Sequence, residues 1–346
     1  MKRVAVIGLF NNGQSVSDGQ SVKTRILTEE LEYALGMDDV VRIDTYGWKK
    51  NPFKLFWLTL TSTVKYKNVL FLTDEGGIKV FPILLQIANI AKRTKLHYYV
   101  VGGWLNQYLH NSKTSLKILK NIDAIYVELP SMYNELQNMG FSNVVLVNKF
   151  RRMDPVSEKE IELYPKESYK LCYFSRVMQE KGIEEAIDAV IQLNKKNEAQ
   201  KYSLDIWGSI NDPYKERFEE LMKKVPSYIR YCGVVDFQQS TNTLKSYHAM
   251  LFPTYYKSEG YPNSIVDAFA AGLPVITTRW NYNADVVNDG DDGVFVDVGN
   301  VDQISSAIES LFEDPEKYKK MRINCLKRCE EYLPHNAVIK VIDQFK

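Results

Sequence analysis

The chain has 346 residues, 45% hydrophobic and 25% charged, with 44 Lys and Arg against 43 Asp and Glu. Its length suggests two cores rather than one, its net charge of +1 gives no general attraction to nucleic acid, and no apolar run reaches the ~18 residues of a membrane span. Cys172, Cys232, Cys325 and Cys329 follow no zinc or disulfide spacing, and Met1-Lys2-Arg3 runs straight into an apolar stretch. These features suit reduced thiols in a cytoplasmic protein without a signal peptide.

The first predicted strand is residues 4–9, followed by a loop at 10–19 rich in Asn, Gly, Ser and Gln. A helix starts near Ser21 and places Val22, Ile26, Leu27, Leu31 and Leu35 on one side. Gly13, Gly19 and Gln20 stand where the backbone of a βα loop could approach a ligand, or where the loop is simply a capped turn. Residues 40–43 form the next strand. Residues 51–64 then combine Phe53, Phe56, Trp57 and Leu58 with Lys49, Lys50, Lys54, Lys65 and Lys67 nearby. Two readings fit: a helix on an anionic membrane surface, or a core helix with a solvated basic rim.

Strands are expected at 68–72, 96–101, 123–127 and 144–147, with helices at 78–91 and 131–139. Continuous apolar strands alternating with helices indicate a parallel sheet covered on both faces. Ligands of such sheets bind beyond the carboxyl ends of the strands. That rule selects the loops at 73–77, at Gly102, Gly103 and Trp104, and at Asn148 and Lys149. The first 150 residues hold 18 Lys and Arg against 12 Asp and Glu, so the basic excess belongs to this half.

Residues 151–168 are charged, contain Pro155 and Pro165, and interrupt the alternation as a linker would. A second βα series follows, with strands at 170–174, 203–207, 229–232, 249–252, 275–278 and 294–296. Its helices are expected at 183–193, 214–225, 244–247, 264–271, 302–312 and 315–331. A final helix, about 336–345, carries Val338, Ile339, Val341 and Ile342.

Arg176 and Lys181 lie in the loop between the first strand and helix of this series, with Gly182 at the turn. Fixed cations beside helix N–H groups hold a diphosphate without a metal and stabilise it as a leaving group. Glu259 stands before the helix at 264–271, and Asp267 one turn inside it. Carboxylates in that place suit a ligand with hydroxyls for them and an anion for the backbone, as a sugar nucleotide has. Ser264 and Asp267 could instead form a pair resembling a capping box. Asp289-Gly290-Asp291 has the D-x-D form of some metal sites, but its glycines and position indicate a tight turn.

The ordered set Ser175-Arg176-Val177-Met178-Gln179-Glu180-Lys181-Gly182, Gly208, Gly233-Val234-Val235, Phe252-Pro253-Thr254, Glu259-Gly260-Tyr261-Pro262-Asn263 and the run from Asp267 to Ile276 resembles the retaining GT-B glycosyltransferases of family 4. The resemblance is dense over residues 169–312 and loose in the N-terminal half. It implies an α/β protein of two Rossmann-like domains facing across a cleft. Residues 1–153 would bind the acceptor, residues 154–332 the nucleotide sugar, and residues 333–346 would return to the first domain as a helix.

The resemblance further implies a hexosyltransferase that moves a hexose or N-acetylhexosamine from a UDP-sugar to a saccharide acceptor. The acceptor would be lipid-linked in bacterial surface polysaccharide synthesis, or a glycan. The nucleotide sugar is a co-substrate, and no metal or other cofactor is implied. Arg176, Lys181 and Glu259 would be catalytic, acting on the diphosphate and the sugar hydroxyls. Gly208, Val235, Gly260, Tyr261, Pro262 and Asn263 would line the donor, with Asp267 on the ribose where family members usually have Glu. Gly19, Gln20, Gly103 and His110 are the acceptor-side candidates. Localisation would be cytoplasmic, with a peripheral membrane contact through residues 49–67 on one reading. A catalytically silent subunit that binds glycans or stabilises a partner transferase is the alternative; such a protein would be expected to lack Arg176, Lys181 or Glu259.

Overall fold

A computed structural model of the chain describes residues 2–10, 19–91, 94–160, 168–197, 201–257, 259 and 261–345. Gly13 and Gly260 lie outside the described residues. The chain divides into two compact units, Met1–Arg152 with Glu331–Lys346, and Met153–Glu330.

The first unit runs β1 (Lys2–Gly8), α1 (Gly19–Leu35), β2 (Val40–Asp44), α2 (Pro52–Lys65), β3 (Tyr66–Thr73), α3 (Glu75–Ile78), α4 (Phe81–Ala88), β4 (Lys95–Val100), α5 (Leu105–His110), α6 (Lys113–Leu119), β5 (Ala124–Val127), α7 (Pro130–Asn138) and β6 (Val144–Leu146). The second runs β7 (Tyr169–Phe174), α8 (Ile183–Lys196), β8 (Tyr202–Trp207), α9 (Lys215–Met222), β9 (Ile229–Gly233), α10 (Ser240–Leu244), β10 (Ala249–Phe252), α11 (Asn263–Ala270), β11 (Val275–Thr278), α12 (Asn283–Val286), β12 (Gly293–Val296), α13 (Val301–Glu313) and α14 (Pro315–Glu330). The last helix, α15 (Pro334–Ile342), is part of the first unit.

Each unit has one six-stranded sheet, ordered β2-β1-β3-β4-β5-β6 and β12-β11-β10-β7-β8-β9. The pairings are parallel, as in Val4 against Val40 and Leu171 against Ala249. Strands such as β1, β5 and β10 are continuous apolar runs because helices cover both faces: Val4, Ala5, Val6 and Ile7 are all fully buried, whereas β2, β8 and β9 carry Arg42, Asp205 and Arg230. The strand order reverses between β1 and β3 in the first sheet and between β7 and β10 in the second. These are the topological switch points, where diverging loops leave a crevice at the strand ends.

The expected helix at 78–91 is the shorter α4, and α3 ends at Ile78 before it. Pro82 sits in the first turn of α4, where a missing N–H costs nothing; inside a longer helix it would break the ladder. The helix expected at 244–247 instead covers Ser240–Leu244. α15 places Ala337, Val338 and Val341 in the same core as Val4, Val6, Leu27 and Leu31. The Tyr126 hydroxyl donates to the Val341 carbonyl at 3.4 Å. Cys172, Cys325 and Cys329 are buried, Cys232 is partly so, and all four are free thiols.

α2 has an inverted pattern. Its buried residues are Thr59, Ser62 and Thr63, while Phe53 is 84% exposed and Trp57 65%. Small hydroxyl side chains let the helix lie close on β3. The Ser62 hydroxyl is absorbed by the Thr59 carbonyl at 2.6 Å, and that of Thr63 by the Leu60 carbonyl at 2.9 Å. The bulky aromatics point outward, opposite to a solvated surface helix, so the core-helix reading of residues 51–64 does not hold. Among the described residues no helix is long and apolar enough to cross a membrane.

Candidate active site

The second sheet's switch point brings the loop after β7 against the loop after β10. The Tyr255 N–H donates to the Glu180 carbonyl at 2.8 Å, and the Thr254 hydroxyl oxygen lies 3.3 Å from the same carbonyl oxygen. Gly182 enters α8 at φ +75°, and a Cβ there would lie 2.3 Å from the Pro253 carbonyl oxygen. Only glycine meets both conditions. At the end of β8, Gly208 has φ +143°, and a Cβ on it would fall 1.8 Å from the Ser175 carbonyl oxygen. Its N–H donates to the Gly233 carbonyl at 2.8 Å. Three strand ends are thereby drawn together around Ser175 and Arg176.

This packing places Lys181 Nζ in hydrogen-bond contact with Glu259 Oε2. The two side chains are 11% and 8% exposed. The Thr254 hydroxyl donates to the same carboxylate oxygen at 2.8 Å. Lys181 Nζ also lies 5.4 Å from the Phe252 ring centre and 5.3 Å from that of Tyr256, within cation–π range. Burial pushes the Lys181 ammonium below its ordinary pKa; the Glu259 carboxylate opposes that shift, and the Arg176 charge adds to it. A buried ion pair is a poor stabiliser, because desolvation offsets its Coulombic gain. Lys181 is the cation that meets this carboxylate, and the Arg176 charge lies close enough to be felt at Lys181. Arg176 is exposed, and its carbonyl accepts from the Tyr173 hydroxyl at 3.0 Å.

The loop carrying Glu259 is held from behind. Asn281, at φ +43°, donates to the carbonyls of Lys257 and Glu259, both at 3.2 Å. Trp280 Nε1 donates to the Tyr256 carbonyl at 2.8 Å, and the Thr278 hydroxyl donates to the Thr254 carbonyl. Sequence reading placed Thr254 in the motif set without giving it a role, and did not assign one to Thr278, Trp280 or Asn281. Asn tolerates left-handed backbone better than most residues, which was the one available signal.

α11 starts at Asn263 with Pro262 at its N-cap and no side-chain cap. Ser264 is therefore inside the helix, and the capping-box pair with Asp267 does not form. Asp267 is buried, as are its neighbours from Ile265 to Ala270. Pro262 is buried, Tyr261 and Val235 are partly buried, and Asn263 is exposed. In the D-x-D segment, Asp289 pairs with Arg279 at 2.8 Å and accepts from the Phe295 N–H at 3.1 Å. Gly290 turns the chain at φ +81°.

In the first unit, Gly19 opens α1 and Gln20 donates to the Leu72 carbonyl at 3.3 Å. Gly103 is exposed after β4. His110, the last residue of α5, is exposed and meets Glu135 of α7 at 2.9 Å. A buried polar cluster that sequence reading did not find lies at the ends of β4, β5 and β6. Lys23 Nζ donates to Glu128 Oε1 at 2.5 Å and to the Phe150 carbonyl at 3.1 Å, and the Tyr99 hydroxyl reaches the same Glu128 oxygen at 2.8 Å. Burial holds the nearby Lys149 ammonium down at about 8.

Residues 157–328 match the family model described as "Glycosyl transferases group 1". The chain is 25% identical over 301 residues to the poly(glycerol-phosphate) alpha-glucosyltransferase of Bacillus subtilis, covering 84% of this chain and 42% of that protein. It is 27% identical over 203 residues to the capsular polysaccharide biosynthesis glycosyltransferase CapM of Staphylococcus aureus, covering 57% of this chain and 51% of that one. It thus spans about half or less of the length of these relatives. Among solved structures, Anabaena Alr3699/HepE in complex with UDP and glucose superposes with a TM-score of 0.60 at 14% identity, over 99% of both chains. The lipopolysaccharide outer core galactosyltransferase WaaB gives 0.64 at 13%, again over 99% of both. These likenesses establish the GT-B fold of two Rossmann-like domains.

Proposed function

We propose that the protein is a retaining, metal-independent glycosyltransferase, a reading supported by the match of residues 157–328 to the glycosyl transferases group 1 family model. It moves a hexose or N-acetylhexosamine from a UDP-sugar to a saccharide acceptor in surface polysaccharide synthesis. The observation that carries this reading is the buried Lys181–Glu259–Thr254 cluster at the switch point of the second sheet.

In the proposed reaction Arg176 and Lys181 take the diphosphate, with the uncapped first turn of α11 adding N–H donors. Glu259 receives the sugar hydroxyls and Asp267 the ribose. The bond from the anomeric carbon to the phosphate oxygen breaks, and negative charge grows on the diphosphate beside the two cations. The acceptor hydroxyl attacks from the same face, and its proton passes to the leaving phosphate oxygen. No side-chain base is then required. The first unit holds the acceptor. The lysine-fringed aromatic face of α2 supports a peripheral contact with an anionic membrane, and therefore a lipid-linked acceptor.

The test is UDP release from a panel of UDP-sugars in EDTA. Turnover with at least one donor, lost in Lys181→Ala, supports the proposal. A strict requirement for added divalent metal overturns the mechanism.

A further inference from the structure

Glu259 is fastened at both ends, and from different loops. Its carboxylate is held by Lys181 of the loop after β7 and by Thr254 of its own loop. Its main chain is held from the connection between β11 and α12. There the Asn281 carboxamide uses both of its hydrogens, donating to the carbonyls of Lys257 and Glu259 at 3.2 Å each. The Tyr256 carbonyl, which accepts the Glu259 N–H at 2.9 Å, also accepts Trp280 Nε1 at 2.8 Å.

The connection that does this is itself pinned. Asn283 is fully buried and donates to the Thr277 hydroxyl at 3.0 Å and to the Thr278 carbonyl at 3.1 Å. Arg279 pairs with Asp289 at 2.8 Å and lies 4.1 Å from the centre of the Phe295 ring. Between these two anchors stands Asn281, at φ +43°. Among the described residues it is the one non-glycine with a left-handed backbone. Glycine adopts this φ without strain, whereas asparagine keeps part of the steric cost. Asn281 is exposed, so core packing does not call for its side chain. What its carboxamide adds over a glycine is the tie to two carbonyls of the Glu259 loop. Backbone strain held beside a candidate active site, by a side chain whose bonds all run to that site's loop, is the pattern of preorganisation.

We propose that Asn281 is a positioning residue for Glu259. It fixes the main chain of the Glu259 loop so that the carboxylate stands in place for the donor sugar hydroxyls before the donor binds. This rests on the reading of Glu259 as the sugar ligand and deepens it. The sugar contact is set from the β11–α12 connection, which carries none of the residues assigned to the donor.

The experiment compares wild type with Asn281→Gly, Asn281→Ala, Glu259→Gln and the double variant Asn281→Gly, Glu259→Gln, using UDP and the UDP-sugar that turns over. Asn281→Gly frees the backbone while removing both hydrogen bonds, so its Tm is expected within about 3 °C of wild type. Its kcat/KM for the UDP-sugar is expected to fall about tenfold or more, with UDP affinity within about twofold of wild type. Asn281→Ala is expected to lose at least as much activity and to have a lower Tm, because alanine retains the strain. In the Glu259→Gln background, Asn281→Gly is expected to change kcat/KM by less than about twofold, since the group it positions is gone. UDP-sugar affinity replaces kcat/KM wherever turnover is too slow to measure. Wild-type kcat/KM in Asn281→Gly overturns the proposal. So does an equal loss of UDP and UDP-sugar affinity, which marks a general loosening of the site, or a loss that persists undiminished in the Glu259→Gln background. Glu259→Gln with wild-type turnover refutes the sugar-ligand reading itself, and the positioning role falls with it.

Discussion

Replacing Lys181 by Met leaves a carboxylate, 8% exposed, with the Thr254 hydroxyl donating to it but without the ammonium. Removing one partner of a buried pair costs about 3–5 kcal/mol, because the other charge is left uncompensated. For a unit of about 180 residues, Met153–Glu330, each kcal/mol shifts Tm by about 2–4 °C, so the expected fall is roughly 6–20 °C. Glu259→Gln strands the ammonium instead. That loss shrinks as pH rises, since burial already lowers the Lys181 pKa and the variant has lost the carboxylate that opposed the shift. The folded state then binds fewer protons than the unfolded state up to the ordinary lysine pKa near 10.4, so stability climbs with pH through that window. The double variant Lys181→Met, Glu259→Gln buries no charge and is expected to lie within about 1–2 kcal/mol of wild type. Scanning calorimetry of the four proteins gives the cycle. A single Lys181→Met cost below about 1 kcal/mol, or a double variant as unstable as the sum of the singles, would refute the buried, coupled pair.

Gly208→Ala is expected to cost at least about 3 kcal/mol, since the backbone is at φ +143° and the new Cβ would lie 1.8 Å from the Ser175 oxygen; urea unfolding measures it, and a near-neutral result would contradict the packing described. His97 is fully buried between Tyr126 and Asn68, and burial lowers its pKa to about 3. The unfolded state binds the extra proton between about pH 6.5 and 3, so acidification through that window removes up to about 5 kcal/mol; His97→Gln is expected to flatten the loss in a pH series of urea midpoints. Sedimentation with anionic vesicles is expected to capture the wild type and not a variant with Lys50, Lys54 and Lys65 changed to Glu, with Phe53→Ser, Trp57→Ser also weakened; unchanged binding in both variants would exclude α2 as the contact.

Strands such as β1, β5 and β10 were legible because strands buried on both faces carry uninterrupted apolar runs, as Val4 to Ile7 do. The glycine and charge spacing around Arg176, Lys181 and Gly182 likewise placed the candidate donor loop at a strand end. What sequence order could not give was the partner across the sheet. That Lys181 meets Glu259, and that Thr254 and Asn281 hold the latter's loop, follows from β10 lying beside β7. The orientation of α2 was also unreadable. Aromatics and lysines in one segment fit either an inward or an outward apolar face, and only the burial of Thr59, Ser62 and Thr63 decides it. Pro82 was visible, but its place in a first turn rather than a helix interior depends on where the chain leaves α3.

The central claim is that Lys181 and Glu259 divide the donor between diphosphate and sugar. Titrating UDP and a turnover-competent UDP-sugar in EDTA into wild type, Lys181→Met and Glu259→Gln tests it directly, at a temperature where each variant is folded. Lys181→Met is expected to weaken both ligands at least tenfold, as loss of a charge-assisted contact would. Glu259→Gln is expected to weaken the UDP-sugar and to leave UDP nearly unchanged. Equal affinity of all three proteins for both ligands would contradict the assignment.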